Sequence, residues 1–393
     1  MTITSLEQLR DESTRLKAFP VASNGVFMAH AGVTALPRAV ADAVIDYTNQ
    51  SAESHQEFGD VLRRINHARV TSAKMIGAKS QEIALLGPTS LGLSLFALGL
   101  PWEEGDEILC YLDDYPANVY PWKDLERRGV KVVYLQPNSP GEITPELVDA
   151  AMTPKTRLVA LASCHFLSGY RIDVDAIGQV VHNNGALFSL DAIQTIGAFD
   201  TKVDHVDFLS ADSHKWMLGP LTAGIVYVKE EHFDLLRPAL LGAWNVKSPN
   251  FITQDGVDFE PTARRYEPGV LNCAGIFGMN AALEMILSVG IDQISQRLLS
   301  LKERIVDELI RRDFQVYGPK GGKAASSITT FGRENTDMEG LFKHWEAQGV
   351  TASFRHDREG KPLLRLSPHF YNMEEEIDRV FGSLDEFLNS TTG

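Results

Sequence analysis

Residues 186–228 read ALFSLDAIQTIGAFDTKVDHVDFLSADSHKWMLGPLTAGIVYV, and this stretch decides the fold. ALFSL (186–190) is a continuous apolar run that ends on Asp191, with Gln194 three residues further on. Ser213-His214-Lys215 then stands between two strand-like segments, just before Gly219-Pro220. An apolar run without alternation suits a strand buried on both faces of a mostly parallel sheet. In open α/β sheets, ligands bind beyond the carboxyl ends of the strands. A carboxylate there can pair with a buried cationic ring nitrogen. A lysine in the same cleft can form a Schiff base once desolvation or nearby charge lowers its pKa.

The flanking sequence repeats the pattern. EIALL (82–86), EILCYL (107–112), KVVYL (131–135), RLVALAS (157–163) and GIVYVK (224–229) are further strand candidates. Helical patterns such as DVDAIGQVVHNN (173–184) fall between them. This alternation predicts a three-layer α/β domain. After about residue 275 the texture changes. Ile294, Leu298, Leu301, Ile305 and Leu309 recur at helical spacing. Asn372 with Glu375 reads as a capping box for a last helix carrying Ile377, Val380, Phe381, Leu384 and Phe387. SSITTF and PLLRLS are strand-like pieces between these helices. The expected division is a large domain over 21–290 and a small α+β domain over 291–393, joined by the N-terminal residues 1–20.

Composition narrows the function. Lys+Arg 37 against Asp+Glu 52 leaves a net charge of −15 with no basic stripe, which argues against a nucleic-acid or anionic membrane partner. Cys110, Cys164 and Cys273 are odd in number and far apart, so neither a disulfide framework nor a metal site is expected. The polar, charged start carries no signal-peptide pattern, and the cytoplasm is the expected location.

A carboxylate and a lysine at one sheet edge are what pyridoxal phosphate requires, the lysine for its aldehyde and Asp191 for its pyridinium nitrogen. Singly, each has a plain reading as a surface residue. EIALLGPTSLGLSLFALGL adds a strand, a Gly-Pro turn and a helix opening at Thr89-Ser90, whose N–H groups and hydroxyls suit a phosphate. An ordinary helix cap is the alternative. Tyr115, in DDYPANVYPW, offers an aromatic face for a pyridine ring, or a core aromatic. Arg365, in PLLRLSPHFYN, offers a planar fork for a carboxylate, or a surface ion pair.

With these motifs the chain resembles the class V aminotransferase family of fold-type I pyridoxal enzymes, from FMAHAGVTALP (27–37) to RLSPHFYN (365–372). That group includes cysteine desulfurases, selenocysteine lyase, kynureninase and isopenicillin-N-epimerase-like proteins. The resemblance implies that Lys215 holds the cofactor aldehyde, Asp191 its ring nitrogen, and Gln194 its phenolate oxygen. It puts Thr89, Ser90 and His214 on the phosphate and Arg365 on the substrate α-carboxylate. Trp244 resembles a tryptophan that reaches a phosphate across a dimer interface; packing is its other reading. His30 matches a substrate-side position, with a core or turn histidine as the alternative, and Arg355 is a further substrate-side candidate. Relatives are homodimers, so a dimer with interfacial sites is expected.

Three departures bear on the reaction. The stretch VTASFRHDREGKPLL, where desulfurases carry a nucleophilic cysteine, has none. Phe166 stands where many place an asparagine, and Gly269-Val270 replaces a Gly-Thr that reaches the partner's phosphate. The expectation is transamination or C–S and β-elimination lyase chemistry on a small amino acid. Kynureninase-like hydrolysis, epimerisation, or a non-catalytic binding role are the alternatives.

Overall fold

A computed structural model describes residues 2–57 and 59–391. After a short β1 (Val26–Phe27) come β2 (Ile83–Ala84), β3 (Glu107–Cys110), β4 (Lys131–Tyr134), β5 (Thr156–Ala162), β6 (Leu187–Asp191), β7 (Phe208–Asp212) and β8 (Gly224–Val228). β2 to β8 form one sheet in the order β2-β8-β7-β6-β5-β3-β4. Only β8 runs against the rest, pairing antiparallel with both β7 and β2. Every residue of β7 and β8 is buried, as the apolar runs require of strands covered on both faces. Helix Thr89–Gly99 lies directly on β7, because Gly92 leaves no side chain there: a Cβ would stand 2.4 Å from the Ser210 hydroxyl.

Helices Cys273–Val289 and Ile291–Ile310 meet at 84° across Gly290, whose φ of +94° favours glycine. Ile294, Leu298, Leu301, Ile305 and Leu309 are all buried, as their spacing predicts. Beyond them lie β9 (Gln315–Tyr317), β10 (Thr329–Gly332), β11 (Val350–Thr351), β12 (Ser353–His356) and β13 (Pro362–Leu366). Four of these make an antiparallel sheet, β12-β13-β10-β9, while β11 pairs in parallel with β1. Val26 and Met28 thus pack with Phe331, Trp345, Leu364 and Phe381 in the C-terminal core, although they fall within 21–290. Ile3, Leu9, Ala18 and Phe19 join the core around the main sheet, although they fall within 1–20.

The capping box is displaced by one residue. The last helix spans Glu374–Thr391, so Glu376, not Glu375, returns its carboxylate to the chain at Met373 N, 2.9 Å away. Asn372 Nδ2 donates to the same carboxylate at 2.9 Å, and its Oδ1 accepts from His369 N at 2.7 Å. Among the described residues, no single helix is long and apolar enough to cross a membrane.

Candidate active site

β6 delivers Asp191 at its carboxyl end, and β7 ends one residue before Ser213, so Lys215 emerges beside it from the next turn. Both line one cavity of about 810 Å³, together with Thr89, Ser90, Tyr115, Phe166, Gln194, His214, Arg355 and Arg365. Nine of the eleven residues proposed from sequence, Arg355 among them, therefore converge. Two do not. His30 is fully buried behind the wall, its Nδ1 2.9 Å from Ser367 O and its Nε2 2.9 Å from the Tyr371 hydroxyl, which uses both ring nitrogens. Trp244 lines a separate cavity with Tyr47, Leu62 and Val270.

Lys215 and Asp191 are both buried, and neither forms an ion pair among the described residues. Burial pushes the lysine below its usual pKa; Asp191 opposes this, and Arg365 and Arg355 add to it. Burial, then the Asp114 carboxylate, pushes the Asp191 carboxyl up, partly offset by the Ile193 N–H and Lys215. Asp114 is itself held up at about 6 by burial, against hydrogen bonds from Asn118 and the Tyr115 N–H. A cation placed against Asp191 would restore its charge. The Lys215 amine sits 5.2 Å from the centre of the Tyr115 ring, which forms one wall of the slot.

Gln194 is fixed from both sides. Its Oε1 accepts from the Trp216 indole at 2.8 Å and its Nε2 donates to Ala31 O at 3.2 Å, which leaves one amide N–H for the cavity. Thr89 opens its helix with its hydroxyl accepting from Asp212 N at 2.8 Å, so the hydroxyl proton points elsewhere. Asp212 also takes His214 Nδ1 at 2.9 Å and the Thr222 N–H at 3.1 Å. The sequence SADSHKW by itself assigns this aspartate no role. Its signal was a carboxylate two residues before a histidine at a strand end. Leu218, at φ +58°, donates its N–H to Lys215 O at 3.1 Å, and so tightens the turn behind the lysine.

Arg365 is 1% exposed. Its Nη1 donates to Phe166 O, while Nε and Nη2 have no partner. Two buried, unsatisfied donors on one edge of a guanidinium are costly unless an anion takes them.

The sequence profile of the family described as aminotransferase class-V matches residues 26–380. The chain belongs to that family. It is a pyridoxal-phosphate-dependent enzyme. A probable cysteine desulfurase of Methanothermobacter thermautotrophicus is 27% identical over 398 residues, covering 96% of this chain and 98% of that one. An apo cysteine desulfurase structure from Thermococcus onnurineus NA1 matches with a TM-score of 0.89 at 23% identity, over 96% and 98% of the two chains. The cystine C–S lyase C-DES, bound to its reaction product cysteine persulfide, matches with a TM-score of 0.86 at 19% identity, over 94% and 99%. These structural likenesses establish a shared fold.

The class-V cofactor fits what the cavity holds. An amine without an acid partner and a carboxylate lacking a cation flank an aromatic wall. A helix N-terminus with two hydroxyls and a histidine faces the same space, suited to a phosphate.

Proposed function

We propose that this class-V enzyme cleaves a C–S bond at the β-carbon of a small amino acid, and that no protein thiol takes part. The observation that carries the reading is a cavity that gathers Lys215, Asp191 and Arg365 while all three thiols lie elsewhere. Cys110 and Cys164 are fully buried, and burial pushes their thiols up to about 12 and about 11. Cys273 is buried beside the second cavity, with its thiol also raised by burial. A nucleophilic thiolate needs exposure as well as positive surroundings. Arg171 and Lys302 near Cys164 and Arg64 near Cys273 offset burial only in part, and all three thiols are buried. Where desulfurases carry their cysteine loop, β12 and β13 are joined by a tight turn in which Asp357 accepts from Glu359 N and Lys361 N. The names of the relatives, cysteine desulfurase and C–S lyase, agree on sulfur-bearing amino acids.

In this reading Arg365 binds the α-carboxylate through its free Nε–Nη2 edge. Thr89, Ser90 and His214 hold the phosphate, Asp191 the ring nitrogen, and the spare Gln194 N–H the ring oxygen. Tyr115 covers one ring face. Bound pyridoxal phosphate supplies the electron sink for the pair left when the α-proton departs. Lys215, with its pKa lowered by burial, takes that proton. The Cβ–S bond breaks with its electrons leaving on sulfur. With one water consumed, the products are a keto acid, ammonia and a thiol or sulfide.

A homodimer belongs to the same reading. Val33 at the cavity rim is 52% exposed and Val270 beside the Trp244 cavity is 73% exposed, which suits a second copy covering both. The unpaired cysteines support a cytoplasmic setting. An amino-acid screen that scores keto acid, ammonia and sulfide separately tests the reaction. Equal release of keto acid and ammonia is expected, and it should persist when Cys110, Cys164 and Cys273 are all replaced by Ala or Ser. Keto acid without ammonia would mean transamination. A persulfide on Cys164, with turnover lost in Cys164→Ala, would restore desulfurase chemistry.

A further inference from the structure

The cavity holds more positive charge than one α-carboxylate uses. Arg365 presents Nε and Nη2 on one edge, the side-on fork that takes both oxygens of a carboxylate. Its remaining Nη1 is tied to Phe166 O. The α-carboxylate is thus satisfied by Arg365 alone.

Arg355 is left over. It comes from β12, one strand away from Arg365 on β13. Among the described residues its only side-chain hydrogen bond is from Nη1 to its neighbour's carbonyl, Phe354 O, at 2.9 Å, and no acid pairs with it. Its Nη2 and the Nη2 of Arg365 each lie 3.7 Å from the point where a Cβ at Gly32 would stand. Two guanidinium groups therefore flank one small space that glycine keeps open. Like charges at this range repel, and burial strengthens the effect; Arg365 is pulled down from the usual arginine value by burial first and by Arg355 second. Such an arrangement persists at low cost only if a second anion fills it. The nearest acidic side chain on this hairpin is engaged elsewhere, since Asp357 holds the turn between β12 and β13. Beside Ser353, the wall there is mostly apolar, from Ala352, Phe354, Phe342 and Phe166.

We propose that Arg355 is a specificity-determining residue that binds a second acidic group, carried on the side chain of the substrate. The substrate class is an α-amino acid whose departing sulfur group ends in a carboxylate or a comparable anion, with a short apolar linker along the phenylalanine wall. This rests on the C–S lyase reading above, yet the anion pair can be tested apart from it.

Equilibrium binding of glutarate and of its monoacid counterpart, pentanoate, is measured by calorimetry on the enzyme with and without its cofactor. Glutarate should bind about ten- to hundredfold more tightly, the range expected for one added charge-assisted contact. Arg355→Gln should collapse that ratio to near unity, whereas Arg365→Gln should weaken both acids. Gly32→Ala should weaken glutarate by crowding both guanidinium groups. In turnover, S-(2-carboxyethyl)cysteine should exceed S-propylcysteine in kcat/KM by a similar factor, lost in Arg355→Gln. Equal binding of the two acids, no binding of either, or a uniform loss of both in Arg355→Gln would overturn the proposal. The uniform loss would show both arginines on a single carboxylate. If glutarate is preferred but no sulfur compound is released from any thioether, the site stands and the lyase reading falls.

Discussion

Lys215 and Asp191 show how burial sets chemistry at a single residue. Each is pushed toward its neutral form by desolvation, and each lacks the partner that would restore its charge. A neutral amine is what a base at the α-carbon needs, and a carboxylate awaiting a cation is what keeps a ring nitrogen protonated. Asp191→Asn removes that cation's partner while preserving shape. The variant should retain cofactor yet lose at least about ten- to hundredfold in turnover, from a charge-assisted contact of about 1.5–3 kcal/mol. Cofactor absorbance with steady-state rates checks this, and a native rate would remove Asp191 from its role. Lys215→Ala should abolish turnover and borohydride fixation of the cofactor to the chain, with the fold unchanged by circular dichroism.

Among elements, the sheet was legible wherever strands are apolar throughout. RLVALAS and GIVYVK became β5 and β8 within one residue. FLSAD, now β7, was harder to single out because Ser210 and Asp212 interrupt its apolar run. The helix laid across the strand takes the Ser210 hydroxyl on Thr89 O and the Asp212 N–H on the Thr89 hydroxyl, while the Asp212 carboxylate is met by His214 and the Thr222 N–H, partners no local pattern can reveal. The site motifs on β6 and β7 were legible because local order and chemistry coincide there. His30 followed its alternative reading, a core histidine, because both ring nitrogens find partners from the far end of the chain, Ser367 O and the Tyr371 hydroxyl, which local sequence does not show. The start of β7 carries its own prediction. Asp207 accepts from His182 at 2.9 Å, His232 at 2.7 Å and the Phe188 N–H at 2.7 Å, tying helix Val174–Asn183 and β6 to β7. Burial opposes its charge, but these donors outweigh it and hold the carboxyl well below its ordinary range. An acid depressed on folding contributes stability that is complete above its unfolded pKa, about 3.9, and is lost as pH falls through the lower folded value. Asp207→Asn should therefore cost about 1–3 kcal/mol in urea unfolding at pH 7. The gap to the native protein should close only in strong acid. A constant gap from pH 7 to pH 2 would mean the loss is steric.

Across the whole molecule, the chain's two ends are clasped together beside the cavity. Arg15, 4% exposed, donates to Glu376 at 3.0 Å on the last helix and reaches Tyr371 O at 3.4 Å. Phe19 stacks on Tyr371 with ring centres 4.1 Å apart, and Tyr371 in turn meets His30. These contacts hold the segment 367–372, which follows the end of β13 one residue past Arg365, and His369 in it lies 3.0 Å from Trp216 O next to Lys215. The clasp therefore helps fix the position of Arg365 relative to Lys215, although it spans 361 positions of sequence. Removing one partner of a buried pair strands the other, so Arg15→Ala should destabilise by about 3–5 kcal/mol. Arg304–Asp378 joins the same last helix to helix Ile291–Ile310, but both side chains are well exposed, at 39% and 58%. Arg304→Ala should cost no more than about 1 kcal/mol. Chemical denaturation of the two variants side by side reads the contrast directly. Equal losses would show that the Arg15 contact stabilises only as a surface pair does, and that the ends of the chain are held by the Phe19–Tyr371 packing instead.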